Sequence, residues 1–268
     1  MLEILEILSV SISLALLIYA SWSDYKTREV SNTVWVIFAP IAFMLTFANL
    51  YLYESSDALF SYGISFGLTA AFALLLFYTG GFGGADAKAL MCIALALPFY
   101  PENLLKPLSG EISPTSNSFF SIAVFSNSVL LAAATAIYLF FYNVFWHKKT
   151  HTKLFDVYHK KEAFWKKFLV LITGYKVSVN KLKEKWHLYP LEDIEENENE
   201  PKRKLLIIST DENRNATVER LTKAVETGKA QDSFWASPGL PMLVFITAGL
   251  IIALFYGDIL WILIRLFF

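Results

Sequence analysis

Two aspartates stand at the ends of hydrophobic segments, where their type and setting could support hydrolysis. Asp24 ends the first apolar segment, and Asp86 begins a later one. Ionisable residues at membrane depth are expensive and usually carry function. Two carboxyl groups a few ångströms apart do not ionise together easily, so one takes a proton from water while the other donates a proton. We therefore predict that Asp24 and Asp86 form a catalytic pair that hydrolyses a peptide bond.

A glycine-rich stretch precedes Asp86 and gives the backbone there unusual freedom. Glycine permits a sharp turn and the close approach of another backbone. An extended substrate segment could therefore lie against the loop beside Asp86. Lys88 is a candidate for orienting Asp86, and snorkelling of Lys88 to the lipid surface explains it equally well. The stretch reads Gly80-Gly81-Phe82-Gly83-Gly84-Ala85-Asp86-Ala87-Lys88.

Each aspartate also has a purely structural interpretation. Asp86 could be the N-cap of the helix that follows it, where it would satisfy free backbone amides. Asp24 could be an interfacial residue paired with Lys26 or Arg28. The residues alone leave both interpretations open. Asp258 also ends a hydrophobic run, but the topology places it near the outer face, and we assign it no role.

The composition predicts a polytopic membrane protein. The 268 residues are 55% hydrophobic and 18% charged, with a mean hydropathy of +0.45, which is too apolar for an ordinary soluble domain. A single cysteine, Cys92, excludes an internal disulfide and a Cys-rich zinc site. Walker A, dinucleotide-binding glycine and HExxH motifs are absent. We expect no metal, no cofactor and no nucleic-acid partner.

Six apolar segments predict an all-α membrane bundle of about six transmembrane helices. The fourth segment is short and alanine-rich, so we expect it to pack inside the bundle. Gly63 and Gly67 in the third segment are spaced for close helix packing. The segments cover approximately residues 2–22, 33–52, 58–79, 85–99, 119–146 and 240–268.

A polar insert separates the fifth and sixth segments. The chain would thus comprise helices one to five with the catalytic loops (1–146), a soluble domain (147–235) and helix six (236–268). We expect the insert to be a small α+β domain. It would include a strand at 168–173 and an exposed acidic loop at 192–200.

The distribution of basic residues predicts the topology. Most of the 23 Lys and Arg residues fall between Lys148 and Lys229, and Lys and Arg mark the cytoplasmic side of a membrane protein. The insert is therefore placed in the cytoplasm. Alternation of the segments then places Asp24 and Asp86 near the same cytoplasmic face of the cell membrane.

Two motifs surround the aspartates, Asp24-x-x-Thr27-Arg28-x-Val30-x-Asn32 and Gly83-Gly84-Ala85-Asp86-Ala87-Lys88. Together they resemble the type IV prepilin peptidase family, and most closely its archaeal preflagellin (archaellin) peptidases, which are membrane aspartyl proteases of the GxGD group. The resemblance covers roughly residues 1–146 and 236–268. Ala85 replaces the second glycine of GxGD, which we interpret as a tolerated small residue. A four-cysteine zinc domain is missing, so we expect proteolysis without N-methylation.

The resemblance implies a substrate and a set of site residues. The substrate would be a membrane-bound archaellin or type IV pilin-like precursor. Its short basic leader would be removed at the cytoplasmic face, just before a hydrophobic helix. The implied site residues are Asp24 and Asp86 as the catalytic pair, Gly83, Gly84 and Ala85 as the flexible approach, and Lys88 and Glu29 beside them, Glu29 being a candidate for binding the basic leader.

Three other functions remain open from the sequence. A prepilin peptidase would prefer pilin precursors over archaellin precursors. A small transporter or channel would also place a carboxylate in a glycine-interrupted hydrophobic region, although no inverted repeat is evident. A scaffold protein would use the insert as a docking surface.

Overall fold

A computed structural model describes residues 2–53, 55–150, 154–156, 159, 162–195, 202–206 and 211–267. The chain divides into two compact units. The first contains Met1–Ala132 and Pro241–Phe268, and the second contains Ala133–Leu240.

Helices dominate the described residues, and all the short strands lie in the second unit. The helices are α1 (Leu2–Thr27), α2 (Asn32–Tyr53), α3 (Ser56–Tyr78), α4 (Gly84–Ala96), α5 (Pro114–Ser118), α6 (Phe120–Thr150), α7 (Phe164–Thr173), α8 (Val179–Glu184), α9 (Asp211–Glu226), α10 (Met242–Phe255) and α11 (Ile259–Phe267). The strands are β1 (Tyr175–Val177), β2 (Leu188–Pro190), β3 (Glu192–Glu195), β4 (Lys202–Leu205) and β5 (Phe234–Pro238).

Among the described residues, four helices are long and apolar enough to cross a membrane: α1, α2, α3 and α6. The last apolar segment is two helices, α10 and α11, bent by 64°. The bend falls at Gly257, whose φ of +114° favours glycine. Asp258, just before α11, accepts a hydrogen bond from the backbone N–H of Trp261 in the first turn of that helix. Counting the bent pair as one span gives five. Because α4 has only 13 residues and a span needs about 20, the predicted count of about six spans is not confirmed.

Helix α4 is the centre of the first unit and packs against α1, α2, α3 and α10. Its small side chains let several helices approach it closely. This confirms the prediction that the fourth segment packs inside the bundle. Its buried residues are Ala87, Ala89, Leu90, Cys92, Ile93, Ala94 and Ala96.

Helix α3 does not use its two spaced glycines for packing. A Cβ atom added at Gly63 or Gly67 would meet no other atom within 4 Å. The expectation of close helix packing at these positions is therefore wrong for the described residues. Instead, α3 packs through the face that carries Tyr62, Ser65 and Thr69, which are buried. Spacing alone does not say which face of a helix is covered.

The second unit combines helices with two antiparallel sheets. One sheet has the strand order β1-β5-β2, with Tyr175 opposite Ala236 and Leu188 opposite Pro238. The other pairs β3 with β4, with Glu192 opposite Leu205. The expected α+β character of the insert agrees with this arrangement.

The predicted strand at 168–173 is wrong, because these residues form most of α7. Short apolar runs do not distinguish a strand from a helix. Here the apolar residues recur at helical spacing, and Val170 is buried while Phe164 and Phe168 share the opposite, exposed side. The extended backbone begins only at Gly174, which caps the helix.

The acidic stretch 192–200 is not simply an exposed loop, because its first four residues form β3. Glu192 is fully buried and lies 2.6 Å from the Arg203 guanidinium. It also accepts a hydrogen bond from the backbone N–H of Trp235 at 2.9 Å. Burial alone would raise the pKa of Glu192, but the neighbouring His159 and Arg203 lower it below its ordinary value. Residues 196–200 lie outside the described residues.

Candidate active site

Asp24 lies in the last turn of α1, whose end is fixed by a left-handed residue. Arg28 has a φ of +59°, and its N–H donates to the Asp24 carbonyl oxygen at 2.9 Å. Helices often end this way, although usually with glycine. The Ser23 and Thr27 hydroxyls donate to the Glu29 carbonyl oxygen at 2.7 and 3.0 Å. These bonds hold the loop that follows Asp24.

The Asp24 carboxyl group is half-buried, and one of its oxygens lacks a partner. Its Oδ2 atom is buried and accepts no hydrogen bond from the described residues. Arg28 and the backbone of Leu243 at the start of α10 are close enough to act on this carboxyl group. A buried carboxylate oxygen without a donor is costly. Such an unsatisfied acceptor marks a position where a water molecule or a substrate group would complete the hydrogen bonding.

The turn between α3 and α4 begins at Gly80. Its φ of +77° places it in the left-handed region that favours glycine. The N–H groups of Gly81 and Phe82 then both donate to the Leu76 carbonyl oxygen, at 2.8 and 3.0 Å. This closed turn sends the chain directly into α4 and fixes where α4 starts.

Asp86 lies in the first turn of α4, and Gly83 is the N-cap. The Asp86 carboxylate reaches back and accepts a hydrogen bond from the Gly83 N–H at 3.1 Å. The N-cap interpretation of Asp86 is therefore wrong, although the carboxylate still satisfies a free amide at the helix start. The position also sets the carboxylate at the positive end of the helix dipole.

The packing of α4 against α1 brings the two aspartates to one end of the first unit. Their carboxyl groups are close enough for Asp24 to act electrostatically on Asp86. Asp24 ends a helix and Asp86 begins one, so both face the same end of the bundle. Such a pair can activate a water molecule, because one carboxyl group can be ionised and act as a base while the other carries a proton.

A second contact ties the two motifs together. The Lys88 Nζ atom donates to Asn32 Oδ1 at 2.6 Å, which joins α4 to the start of α2. The sequence interpretation considered Lys88 only as a partner of Asp86 or as a snorkelling residue, and it gave Asn32 no role. Asn32 belongs to the motif around Asp24, and Lys88 belongs to the motif around Asp86. Their positions in these two motifs were the only sequence signal that could have suggested a contact between them.

Removing this bond is expected to weaken catalysis without unfolding the bundle. Lys88→Met and Asn32→Leu should each lower the rate of substrate cleavage several-fold, because α4, which carries Asp86, loses its bond to the start of α2, which follows the loop after Asp24. The double variant should resemble the single variants, since residues in contact are not additive. Cleavage rates in a double-mutant cycle measure this coupling.

Lys106→Met is the matched control for this cycle, because Lys106 is an exposed lysine in the loop after α4, away from Asp86. It should leave the rate unchanged. Additive effects of Lys88→Met and Asn32→Leu would contradict a coupled role for the pair.

The remaining predicted site residues lie around the same loops. Gly84 is the first residue of α4, and an added Cβ there would meet only the Phe77 ring, at 3.5 Å. Ala85 is partly buried against the main core of the first unit, so a small residue fits there. Glu29 is exposed and lies in the loop after Asp24.

Asp258 shows what a structural carboxylate looks like in the same unit. It is 5% exposed, accepts a hydrogen bond from the Ser113 hydroxyl at 2.9 Å, and accepts another from the Trp261 N–H at 3.2 Å. Both of its oxygens therefore have partners, in contrast to Asp24. This satisfied pattern agrees with assigning Asp258 no catalytic role.

One cavity among the described residues lies away from the aspartates. It has a volume of about 570 Å³ and is lined by Glu6, Asn49 and Tyr100, among others. Glu6 lies near the start of α1 and Tyr100 follows the end of α4, so this cavity is at the opposite end of the bundle. In the part of the chain that the structure describes, no cluster of three or more His, Cys, Asp or Glu side chains could hold a metal ion.

Comparison with known proteins bears directly on this site. Residues 11–145, which contain both aspartates, match the model of the type IV leader peptidase family. The chain belongs to this family. Residues 166–259 also match the model described as archaeal peptidase A24 C-terminus type II. Together with the long apolar helices, family membership makes the chain a protease and a multi-pass membrane protein.

Three relatives illustrate the similarity. A preflagellin peptidase of Methanococcus voltae is 27% identical over 250 residues, which cover 92% of this chain and 94% of the relative. A preflagellin peptidase of Methanocaldococcus jannaschii is 29% identical over 138 residues, or 51% of this chain and 58% of the relative. A prepilin peptidase of Methanothermobacter thermautotrophicus is 31% identical over 144 residues, or 52% of this chain and 37% of the relative.

Proposed function

We propose that this leader peptidase is a membrane aspartyl endopeptidase that removes the basic leader of archaellin precursors at the cytoplasmic face. The observation that carries the proposal is the placement of Asp24 and Asp86 at one end of the bundle, on the separate but packed helices α1 and α4, near enough for Asp24 to act electrostatically on Asp86. The buried Oδ2 of Asp24 supports it, because this acceptor has no donor among the described residues and a water molecule or a substrate group would satisfy it.

The chemistry follows from the two carboxyl groups. The ionised carboxylate removes a proton from a water molecule, and the resulting hydroxide attacks the carbonyl carbon of the scissile amide. The protonated partner donates its proton to the departing nitrogen as the carbon–nitrogen bond breaks. One water is consumed, and a new carboxyl group and a new amine are formed. General acid–base steps of this kind contribute about 10²- to 10⁴-fold each.

The loop that precedes Asp86 is suited to hold an extended substrate. The chain from Gly81 to Gly84 has no side chain larger than hydrogen except at Phe82. Exposed backbone at Gly81 and Gly83 would allow a substrate strand to approach the carboxylate closely. Because Glu29 is exposed beside the Asp24 loop, we assign to it the binding of positively charged leader residues.

The cytoplasmic placement rests on charge. Most Lys and Arg residues lie in the insert, between Lys148 and Lys229, and basic segments stay on the cytoplasmic side. The substrate choice rests on the relatives, since a preflagellin peptidase of M. voltae matches over most of both chains. The prepilin peptidase of M. thermautotrophicus supports the second candidate, a peptidase that acts on pilin-like precursors. Family membership favours both over a transporter or a scaffold.

The proposed substrate is tested by incubating membranes that contain the protein with each precursor separately. We expect the archaellin precursor to lose its leader at a single bond before the hydrophobic helix, detected by mass spectrometry of the product. Cleavage of the pilin precursor alone would replace our substrate choice with the second candidate. Cleavage of neither precursor would contradict the proposed function.

A further inference from the structure

Helix α7 in the second unit exposes an aromatic surface. Phe164 is 83% exposed, Trp165 is 53% exposed and Phe168 is 46% exposed. Residues three and four positions apart on a helix are neighbours on its surface. Phe168 is four positions after Phe164 and three after Trp165, so the three rings form one continuous face. We call these three residues the aromatic face.

The aromatic face is not the side by which α7 packs into its own unit. Val170 is 1% exposed and packs in a cluster with Leu191, Leu205 and Trp235. Helix α7 is therefore apolar on two sides, one facing the interior of the unit and one facing outward. An outward aromatic patch on a folded domain usually marks a contact with another protein or a membrane.

A buried asparagine fixes the depth of α7 relative to the membrane helix α6. The Asn143 side-chain amide is 2% exposed and donates to the carbonyl oxygens of Leu171 and Gly174, at 2.8 and 2.7 Å. These two carbonyls lie at the C-terminal end of α7. The end of α7 is thus fastened to α6 at Asn143.

Asn143 lies where α6 leaves the hydrocarbon core. Helix α6 begins at Phe120, so Asn143 is about 23 residues along it, or ~35 Å at 1.5 Å per residue. The hydrocarbon core of a bilayer is about 30 Å thick. The residue that anchors α7 therefore lies near the boundary between lipid and water.

The exposed surface of α6 around Asn143 has the composition of a membrane interface. Tyr138, Phe141, Tyr142 and Phe145 are all at least 43% exposed. The helix then ends with three consecutive basic-type residues, His147, Lys148 and Lys149. Aromatic residues followed by basic residues are typical of the cytoplasmic boundary of a membrane helix.

We propose that the aromatic face of α7 lies in the interfacial layer of the bilayer and binds lipid directly. The occupant is lipid because the end of α7 is held at interfacial depth by Asn143. Trp and Phe are also the residues that favour this layer. The peptidase insert is therefore anchored to the membrane by α7 as well as by α6.

The test uses the full-length protein in lipid nanodiscs, in a Cys92→Ala background with one spin-labelled cysteine at a time. Phe164→Cys and Phe168→Cys report on the aromatic face. Ala216→Cys is the matched control, because Ala216 is exposed on α9 of the same unit. We expect labels at 164 and 168 to be relaxed by lipid-soluble oxygen at least about threefold more than the label at 216, and by a water-soluble nickel complex less.

Each other outcome overturns the proposal. Labels at 164 and 168 that are as accessible to the nickel complex as the label at 216 would place the aromatic face in water. Labels shielded from both reagents would show that a protein surface covers it. Unchanged Tm values for the three labelled proteins establish that the substitutions at these exposed positions leave the fold intact.

Discussion

Asp24→Asn and Asp86→Asn are each expected to lower the rate of precursor cleavage by at least about 10³-fold, because each removes one of the two proton-transfer groups. Asparagine keeps the shape of aspartate, but its side-chain amide does not take up or release a proton near neutral pH. The measurement is the initial cleavage rate of an archaellin precursor by each purified variant in proteoliposomes. Full activity of either variant would contradict the catalytic pair.

Stability should separate a catalytic role for Asp24 from a structural one. Its Oδ2 atom is buried without a hydrogen-bond donor among the described residues, so a neutral amide at this position removes a buried charge that Arg28 and the Leu243 backbone offset only in part. Asp24→Asn is therefore expected to hold or raise Tm while activity disappears. A stabilising change that destroys activity is typical of a functional site.

Asp258→Asn is the matched control for these two variants. Asp258 is buried at the other end of the first unit, and both of its oxygens accept hydrogen bonds. An amide there turns one acceptor into a donor, so stability should fall by about 1–2 kcal/mol. Cleavage per folded molecule should stay at the level of the parent protein.

Gly83→Ala is expected to lower cleavage by about tenfold to a hundredfold, since small displacements of a reacting group are costly. A Cβ added at Gly83 would lie 3.1 Å from the Asp86 Oδ2 atom. The carboxylate must then move by a few tenths of an ångström and loosen its hydrogen bond from the Gly83 N–H. The effect should appear in kcat, because the change displaces Asp86 while the rest of the loop is kept.

Gly84→Ala tests whether the loss of cleavage in Gly83→Ala comes from displacement of the Asp86 carboxylate or from the loss of any glycine in this loop. An added Cβ at Gly84 would make only an ordinary contact with the Phe77 ring, at 3.5 Å. We expect a change of less than about twofold, since alanine also favours the helix that begins there. Equal losses in the two variants would show that flexibility of the loop, and not the position of the Asp86 carboxylate, limits the rate.

Most helices of the first unit could be predicted from the sequence. Apolar runs of about 20 residues identified α1, α2, α3 and α6, because helices that cross a membrane must satisfy their backbone internally. The short alanine-rich run identified α4 as an interior helix, because the run is too short to span a membrane comfortably and its small side chains allow close packing. The glycines before Asp86 located the sharp turn, and the two motifs pointed to the family.

The sequence was less informative wherever distant residues decide the local structure. It did not separate a helix from a strand at α7, because a short apolar run suits either. It also predicted an exposed loop where Glu192 is buried, because the guanidinium that makes burial acceptable belongs to Arg203 on the neighbouring strand. Pairing partners of this kind are not visible in a local pattern.

The amino-acid sequence by itself determined where the two carboxyl groups stand along the chain, each at the end of an apolar helix. Only the tertiary structure decided that α1 and α4 pack so that Asp24 and Asp86 lie at one end of the bundle, and that Lys88 bonds to Asn32. It also decided that the last apolar segment bends at Gly257 and that Asp86 is held by the Gly83 amide. The reason is physical: helix length and amphipathicity follow from nearby residues, whereas helix–helix packing depends on which small and large side chains meet across the whole bundle.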